Sequence, residues 1–329
     1  MIDHYPEWAR KFAKLYLSRT LNQFVMHGNV HDMVHVKGNP PRFDRLKTFL
    51  ADDFFGARDL VLFYDRATGI YFRDQETQTD FNRALSGRDT IAGTEYSKKL
   101  PKDPVGAFSV LEQYIRSRLN SNRSVALIID RAETIVPMND AGSSGSEDRN
   151  ALVYLLKWAH DPLFLAADFT LTLTTENLAD LHRSLVQNPY TSEIRIERPD
   201  YRQRLNYIEL EAEKRKPDFD KLVKVNRKVL AQQTAGLNFI NIQSIIANAT
   251  ENREPLTLER LSATKKELIE AEAYNLLEFI ETDYTLDDVA GHSAVKKHLR
   301  QASKALKSGR PDVLPMGYLV SGPVGTGKT

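Results

Sequence analysis

The sequence predicts an α/β fold: a parallel sheet covered on both faces by helices, followed by a region that is helical throughout. Two observations predict it. Up to residue 199, strand-like runs alternate with helical segments, and several of those runs are apolar from end to end, as strands buried on both faces are. After Pro199 the strand pattern does not return, and each periodic segment to about Ala249 has helical spacing.

Trp8, Phe12, Leu15 and Tyr16 fall at helical intervals over Glu7–Leu17, so an amphipathic helix opens the chain. NQFVMHGNV follows, a β-rich run ending at Gly28, and then a polar stretch with Pro40 and Pro41. FDRLKTFLADDFF, residues 43–55, has helical periodicity, and DLVLFYD, residues 59–65, is a compact buried strand. Beyond a short strand at Gly69–Phe72, the polar region up to residue 102 predicts no element. Residues 103–119 read as a helix with Phe108, Leu111, Ile115 and Leu119 along one face.

SVALIID, residues 124–130, is the strongest strand, five apolar residues closed by a carboxylate. MNDAGSSGSEDRN has loop composition, and ALVYLLKWA is helical. DFTLTLTTEN (168–177) and EIRIERP (193–199) are two further strands. A basic-acidic helical stretch, residues 256–279, leads to Thr285, where the organisation starts again.

Composition narrows the function classes. With 45 basic and 44 acidic residues the chain presents no net field toward nucleic acid or an anionic membrane. The absence of cysteine removes disulfides and thiolate zinc sites and fits a reducing, cytoplasmic setting. The N-terminus carries charges through its apolar positions, unlike a signal peptide, and no run approaches the roughly 20 apolar residues needed to span a bilayer.

The chain ends in GPVGTGKT, the pattern G-x-x-x-x-G-K-[ST]. A strand at residues 318–320 would deliver a glycine loop whose N–H groups face one anion, with Gly322, Pro323, Val324, Gly325, Thr326 and Gly327 forming the cradle. Lys328 would reach the β and γ phosphates of ATP, and Thr329 would offer its hydroxyl to Mg. The helix that would hold this loop rigid follows Thr329, and a carboxylate at that position would repel phosphate. The 329-residue chain is therefore expected to bind ATP poorly, not to hydrolyse it, and to be part of a longer protein.

TLDDVAGHSAVKKHLRQA, with GPVGTGKT starting twenty residues after Ala302, resembles the AAA+ ATPases. Asp287, Asp288, Val289, Ala290, Gly291, Val295, Lys296 and Leu299 match that family's opening motif, and the resemblance implies that Val289, Ala290 and Gly291 line the adenine pocket. It also implies that the preceding 250 residues form a module of the three-layer P-loop NTPase type with a helical lid. There Asp130 and Glu133 resemble the second nucleotide motif, although its two acids are normally adjacent. Thr175 and Asn177 resemble the sensor tip that faces the γ phosphate, and Pro199 and Asp200 the junction with the lid.

Two departures stand out. HGNVHDMV after the first strand has one glycine and no Lys-Thr pair, and VQNPYTSE lacks the arginines that reach a neighbour's ATP. The expected organisation is thus a degenerate α/β module at residues 1–199, a lid at 200–250, a linker helix at 251–284 and the start of a second module at 285–329. The implied protein is a ring-forming, hexameric ATPase that remodels a protein substrate, its first module structural. Two other functions compete: a non-enzymatic scaffold or substrate-docking module, and a DNA-directed motor, which the neutral charge balance disfavours.

Two constellations point to nothing further. His27, His31 and His35 recur every fourth residue, but Gly28 and Asn29 break any helix that would align them on a metal, so a solvated loop is expected. EKRKPDFDKLVKVNRK interleaves its bases with acids and lacks stacking aromatics, which fits a solvated lid surface.

Overall fold

Side chains alternate across a strand, so a sheet buried on both faces sorts its own residues into two cores. The computed structural model describes residues 4–38, 40–92, 99–138, 145–272, 285–307, 318, 319 and 321. It divides into two units, Met1–Leu268 and Ile269–Thr329.

The first unit contains strands β1 (Gln23–Gly28), β2 (Met33–Val36), β3 (Arg42–Arg45), β4 (Leu60–Asp65), β5 (Gly69–Phe72), β6 (Val125–Ile129), β7 (Phe169–Thr175) and β8 (Thr191–Ile196). Six of them form one sheet in the order β5-β4-β6-β7-β1-β8, while β2 and β3 make a separate antiparallel hairpin. The pairs within β4-β6-β7-β1-β8 are parallel, and β5 returns antiparallel along β4. In register, Met26 of β1 stands beside Thr174 and Ile194, and Ile129 of β6 beside Leu173. The chain steps from β1 out to β4, works back to β7, and then passes over β1 to β8. The expected parallel α/β class is what the chain adopts.

One sheet face packs on α3 (Gln75–Ala92), α4 (Pro104–Asn120), α5 (Ser146–Ala159), α6 (Pro162–Ala166) and α7 (Arg183–Val186); their core includes Phe81, Phe108, Trp158 and Leu185 with Leu62, Leu127 and Leu171. The other face carries Phe24, Met26, Phe63 and Ile128 against α1 (Glu7–Leu17) and against α2 (Leu46–Thr48), which runs on as a π-helical turn, Phe49–Phe54. Phe12 of α1 stacks on Phe54 at 4.3 Å and meets Phe24 edge-on at 4.7 Å.

Three local readings change. The helix expected at 43–55 gives its first residues to β3, because Met33↔Arg45 and His35↔Phe43 pairing closes the hairpin first. The polar region before residue 102 contains α3, whose low amphipathicity hid it. Its signal is Asp74, which accepts the Thr77 N–H at 2.8 Å and is pulled down to about pKa 2 mainly by that bond. The three histidines do not share a solvated loop: His27 lies in β1 and His35 is buried in β2.

Asp200 begins the helical region with a capping box, accepting the Gln203 N–H at 2.8 Å while its own N–H reaches Gln203 Oε1. Then follow α8 (Tyr201–Lys214), α9 (Asp218–Leu222), α10 (Arg227–Gln233), α11 (Phe239–Glu251) and α12 (Leu258–Glu272), packed around Tyr207, Ile208, Phe239, Ile242 and Leu261. The β2–β3 hairpin docks on this bundle through Phe43, whose ring lies 4.8 Å from Tyr207, 5.0 Å from Phe239 and 4.9 Å from His35. In the second unit α13 (Ser293–Lys307) is the described helix. Among the described residues no helix is long and apolar enough to cross a membrane.

Burial lowers the pKa of His35, reinforced by Lys37 and opposed by Asp200. The folded state therefore binds fewer protons than the unfolded chain near pH 6. Stability from this group is complete above the unfolded value of about 6.5 and is lost as pH falls below it. Thermal melts should show Tm falling between pH 7.5 and 5.5, with a flatter profile in His35→Gln. Gly28 has φ of +95°, and a Cβ there would lie 2.7 Å from the Ile196 carbonyl oxygen. Gly28→Ala should cost about 1–3 kcal/mol in urea unfolding.

Candidate functional site

In open α/β sheets a ligand sits beyond the carboxyl ends of the strands, where the strand order reverses. Here that place is between β1 and β7. A cavity of about 170 Å³ opens beside it, lined among others by Val30, Asp32, Lys47, Phe63, Asp130 and Thr174.

Asp130 follows β6 on the Ile128 face, and the parallel register brings it level with Thr174. Its Oδ1 accepts the Thr174 hydroxyl at 2.5 Å and the Arg131 N–H at 3.0 Å, and its own N–H donates to the Tyr64 carbonyl. Arg131 adopts a left-handed φ of 52° in making this turn. Across the cavity the Lys47 ammonium lies 4.0 Å from the Tyr71 ring centroid and 4.9 Å from that of Phe63, and those rings stack on each other at 5.1 Å. Burial lowers the Lys47 pKa against the opposing pull of Asp130 and Asp65. Burial, helped by Asp65, strongly raises that of Tyr71.

The other acid and the sensor-like residues lie elsewhere. Glu133 sits in the short turn Ala132–Thr134, with Oε2 buried and without a hydrogen-bond partner. Thr175 ends β7 on the face opposite Thr174, and its hydroxyl donates to the Asn177 carbonyl at 3.2 Å. Asn177 is exposed and donates to Asp180 at 3.3 Å. The residues that meet Asp130 at the cavity are therefore Thr174 and Lys47, both missed by the sequence reading. Strand alternation carried a signal for Thr174, since residues 170, 172 and 174 share one face.

The segment after β1 is the place to look for a phosphate cradle, and its first three backbone donors are already engaged. Gly28 N–H donates to the Glu176 carbonyl at 2.9 Å, Asn29 N–H to Ile196 at 3.0 Å, and Val30 N–H to Gly28 at 2.8 Å. His31 pairs with Glu176 at 3.1 Å. The chain then enters the β2–β3 hairpin, so no helix N-terminus follows the loop. Asp32 is buried: it accepts from Asn29 Nδ2 at 2.8 Å and from the Phe239 and Ile240 N–H groups of α11 at 2.9 and 3.2 Å. Burial raises its pKa, while these bonds and one from Met33 N–H oppose the rise. With no lysine and no helix N-terminus, with its first three amides engaged and a buried acid beyond them, this loop lacks the donor set of a triphosphate cradle.

No described cluster of histidines and acids is arranged for a metal ion. In the second unit Val289 is exposed, its carbonyl accepts from Lys296, and Gly291 takes φ +70°. Asp288 receives the Thr285 N–H at 2.6 Å, which lowers its pKa, and the Thr285 hydroxyl at 2.8 Å. Gly322–Thr329 and the strand expected at 318–320 lie outside the described residues, apart from Tyr318, Leu319 and Ser321.

Comparison with known proteins follows this geometry. Residues 2–197 match the N-terminal Rossmann-like domain of AAA+ chaperones, and residues 202–274 match their second helical domain. No curated protein matches the chain. Among solved structures, a chain of the HORMA, CdnC and Trip13 complex of E. coli MS115-1 is similar at TM-score 0.46 and 16% identity, over 79% of this chain and 80% of that one. With the first family match alone covering more than half its length, the chain belongs to the AAA+ chaperones.

Proposed function

We propose that this chain forms part of a tandem AAA+ ATPase, in which the first module is structural and the second uses ATP. The contrast between two loops carries this reading. After β1 the first three backbone donors are engaged by carbonyls, and a buried aspartate committed to α11 follows them. GPVGTGKT, by contrast, retains the glycines, the lysine and the threonine that a triphosphate and its magnesium require.

On this reading residues 1–199 are a degenerate α/β module, 200–250 its lid, 251–284 a linker and 285–329 the opening of the catalytic module. Gly322–Gly327 would wrap the phosphates, Lys328 would neutralise them, Thr329 would meet Mg, and Val289–Gly291 would border the base. Bound ATP would supply the hydrolytic free energy. Membership of the family supports a homo-oligomeric ring, six subunits in our proposal, that remodels a protein. The first module would then serve assembly or substrate docking.

Two measurements test the division of labour. Isothermal titration of the 329-residue chain with MgATP should show no sub-micromolar binding. In a protein that carries the elements following Thr329, Lys328→Ala should cut ATP turnover by about a hundredfold or more, since it removes a charge from the transferring phosphoryl group. Asp130→Ala should change turnover less than about twofold, because the proposed site lies elsewhere. Loss of turnover in Asp130→Ala would overturn the structural role of the first module.

A further inference from the structure

The contact between Asp32 and α11 joins positions 207 and 208 residues apart in the chain. It links the loop after β1 directly to the helical region. Phe239 and Ile240 open α11, so their N–H groups are among those that no intrahelical carbonyl can satisfy. Asn238 caps the next donor, Asn241, at 2.7 Å, and the Asp32 carboxylate takes the first two. Asn29 Nδ2 also donates to that carboxylate, at 2.8 Å, sharing Oδ2 with the Phe239 N–H, and the hairpin that follows lays Phe43 on Phe239. The centre of the arrangement is buried, with Asp32 2% and Phe239 3% exposed, while Asn29 and Ile240 are half-buried.

We propose that Asp32 is a built-in latch: its carboxylate holds the start of α11 against the β1 loop and keeps the helical region closed on the sheet without a bound ligand. This rests on, and deepens, the reading of the first module as structural. A bond between a carboxylate and two otherwise unsatisfied amides in a buried place is stronger than a neutral one, and its loss leaves both amides unpaired. The aromatic contacts of Phe43 have no such directionality. The carboxylate therefore sets where α11 begins relative to β1, and the rings fill the space that results.

Amide hydrogen exchange on the 329-residue chain tests the latch. In Asp32→Ala, residues 239–242 should exchange about tenfold faster or more, while β6 and β7 keep wild-type rates, as expected for local opening rather than global unfolding. Asp32→Asn, which keeps an acceptor oxygen but loses the charge, should fall between the two, and it carries the same comparison if the alanine variant does not fold. Unchanged exchange in α11 would overturn the latch, and so would an equal rise in β6 and β7. Tight MgATP binding by the wild-type first module would sink the structural reading and leave the exchange result standing. Flat exchange would sink the latch and leave the titration standing.

Discussion

Three consecutive backbone donors, those of Gly28, Asn29 and Val30, find carbonyl partners within the chain, and much of the architecture around them depends on it. Buried N–H groups must be paired. In a phosphate-binding loop the partner is the ligand, and a helix follows so that its positive end joins the cradle. Here Glu176 and Ile196, at the ends of the two strands flanking β1, provide the carbonyls, so the loop is closed by the sheet itself. With the donors satisfied, nothing favours a helix at this point, and the chain turns instead into the β2–β3 hairpin.

The hairpin has a mechanical consequence. It projects Phe43 away from the sheet into the bundle of α8 and α11, while Asp32 at its base reaches the amides of α11. The segment after β1 thus forms a joint between sheet and bundle. Other bonds reinforce the same joint, with Arg204 donating to the Pro199 and Ala231 carbonyls and Arg198 to Gly236. Apolar packing on both faces of the sheet supplies the bulk of the stabilisation, whereas these polar contacts set the relative placement of the two halves.

The sequence carried the sheet well and the joint badly, for reasons that lie in particular residues. β6 and β7 are apolar or threonine-rich along their length, because helices or the hairpin bury both faces, and such runs are read directly. The start of the bundle was read at Pro199 and Asp200, where the structure shows the Asp200–Gln203 capping box. The hairpin was hidden because MVHV and RFDR are short and mixed in polarity, and their residues divide between two distant partners: Val34 and Val36 pack with the sheet, and Met33 and Phe43 against the bundle. α3 was hidden because its buried side includes little beyond Phe81 and Leu85. At the cavity, Asp130 was legible as a strand-ending acid; alternation puts Thr174 on one face with Thr170 and Thr172, but that this face meets Asp130 follows from the register with β6.

That Asp130 persists at the end of β6 needs no metal to account for it. The backbone turns sharply at Arg131, in a left-handed conformation that costs a non-glycine residue about 1 kcal/mol or more. The carboxylate accepts the N–H of that same residue and the hydroxyl of Thr174, and a hydrogen bond to a charged group contributes about 1.5–3 kcal/mol. The acid thus stabilises the turn that carries the chain off the sheet and ties the ends of two adjacent strands together. Lys47, over Tyr71 and Phe63, lines the same cavity as Asp130. An aspartate shaped by such neighbours is held in place by the fold alone. The same residue type in the same topological position can therefore mark a catalytic centre in one module and a structural clasp in another, and its neighbours' donors decide between the two.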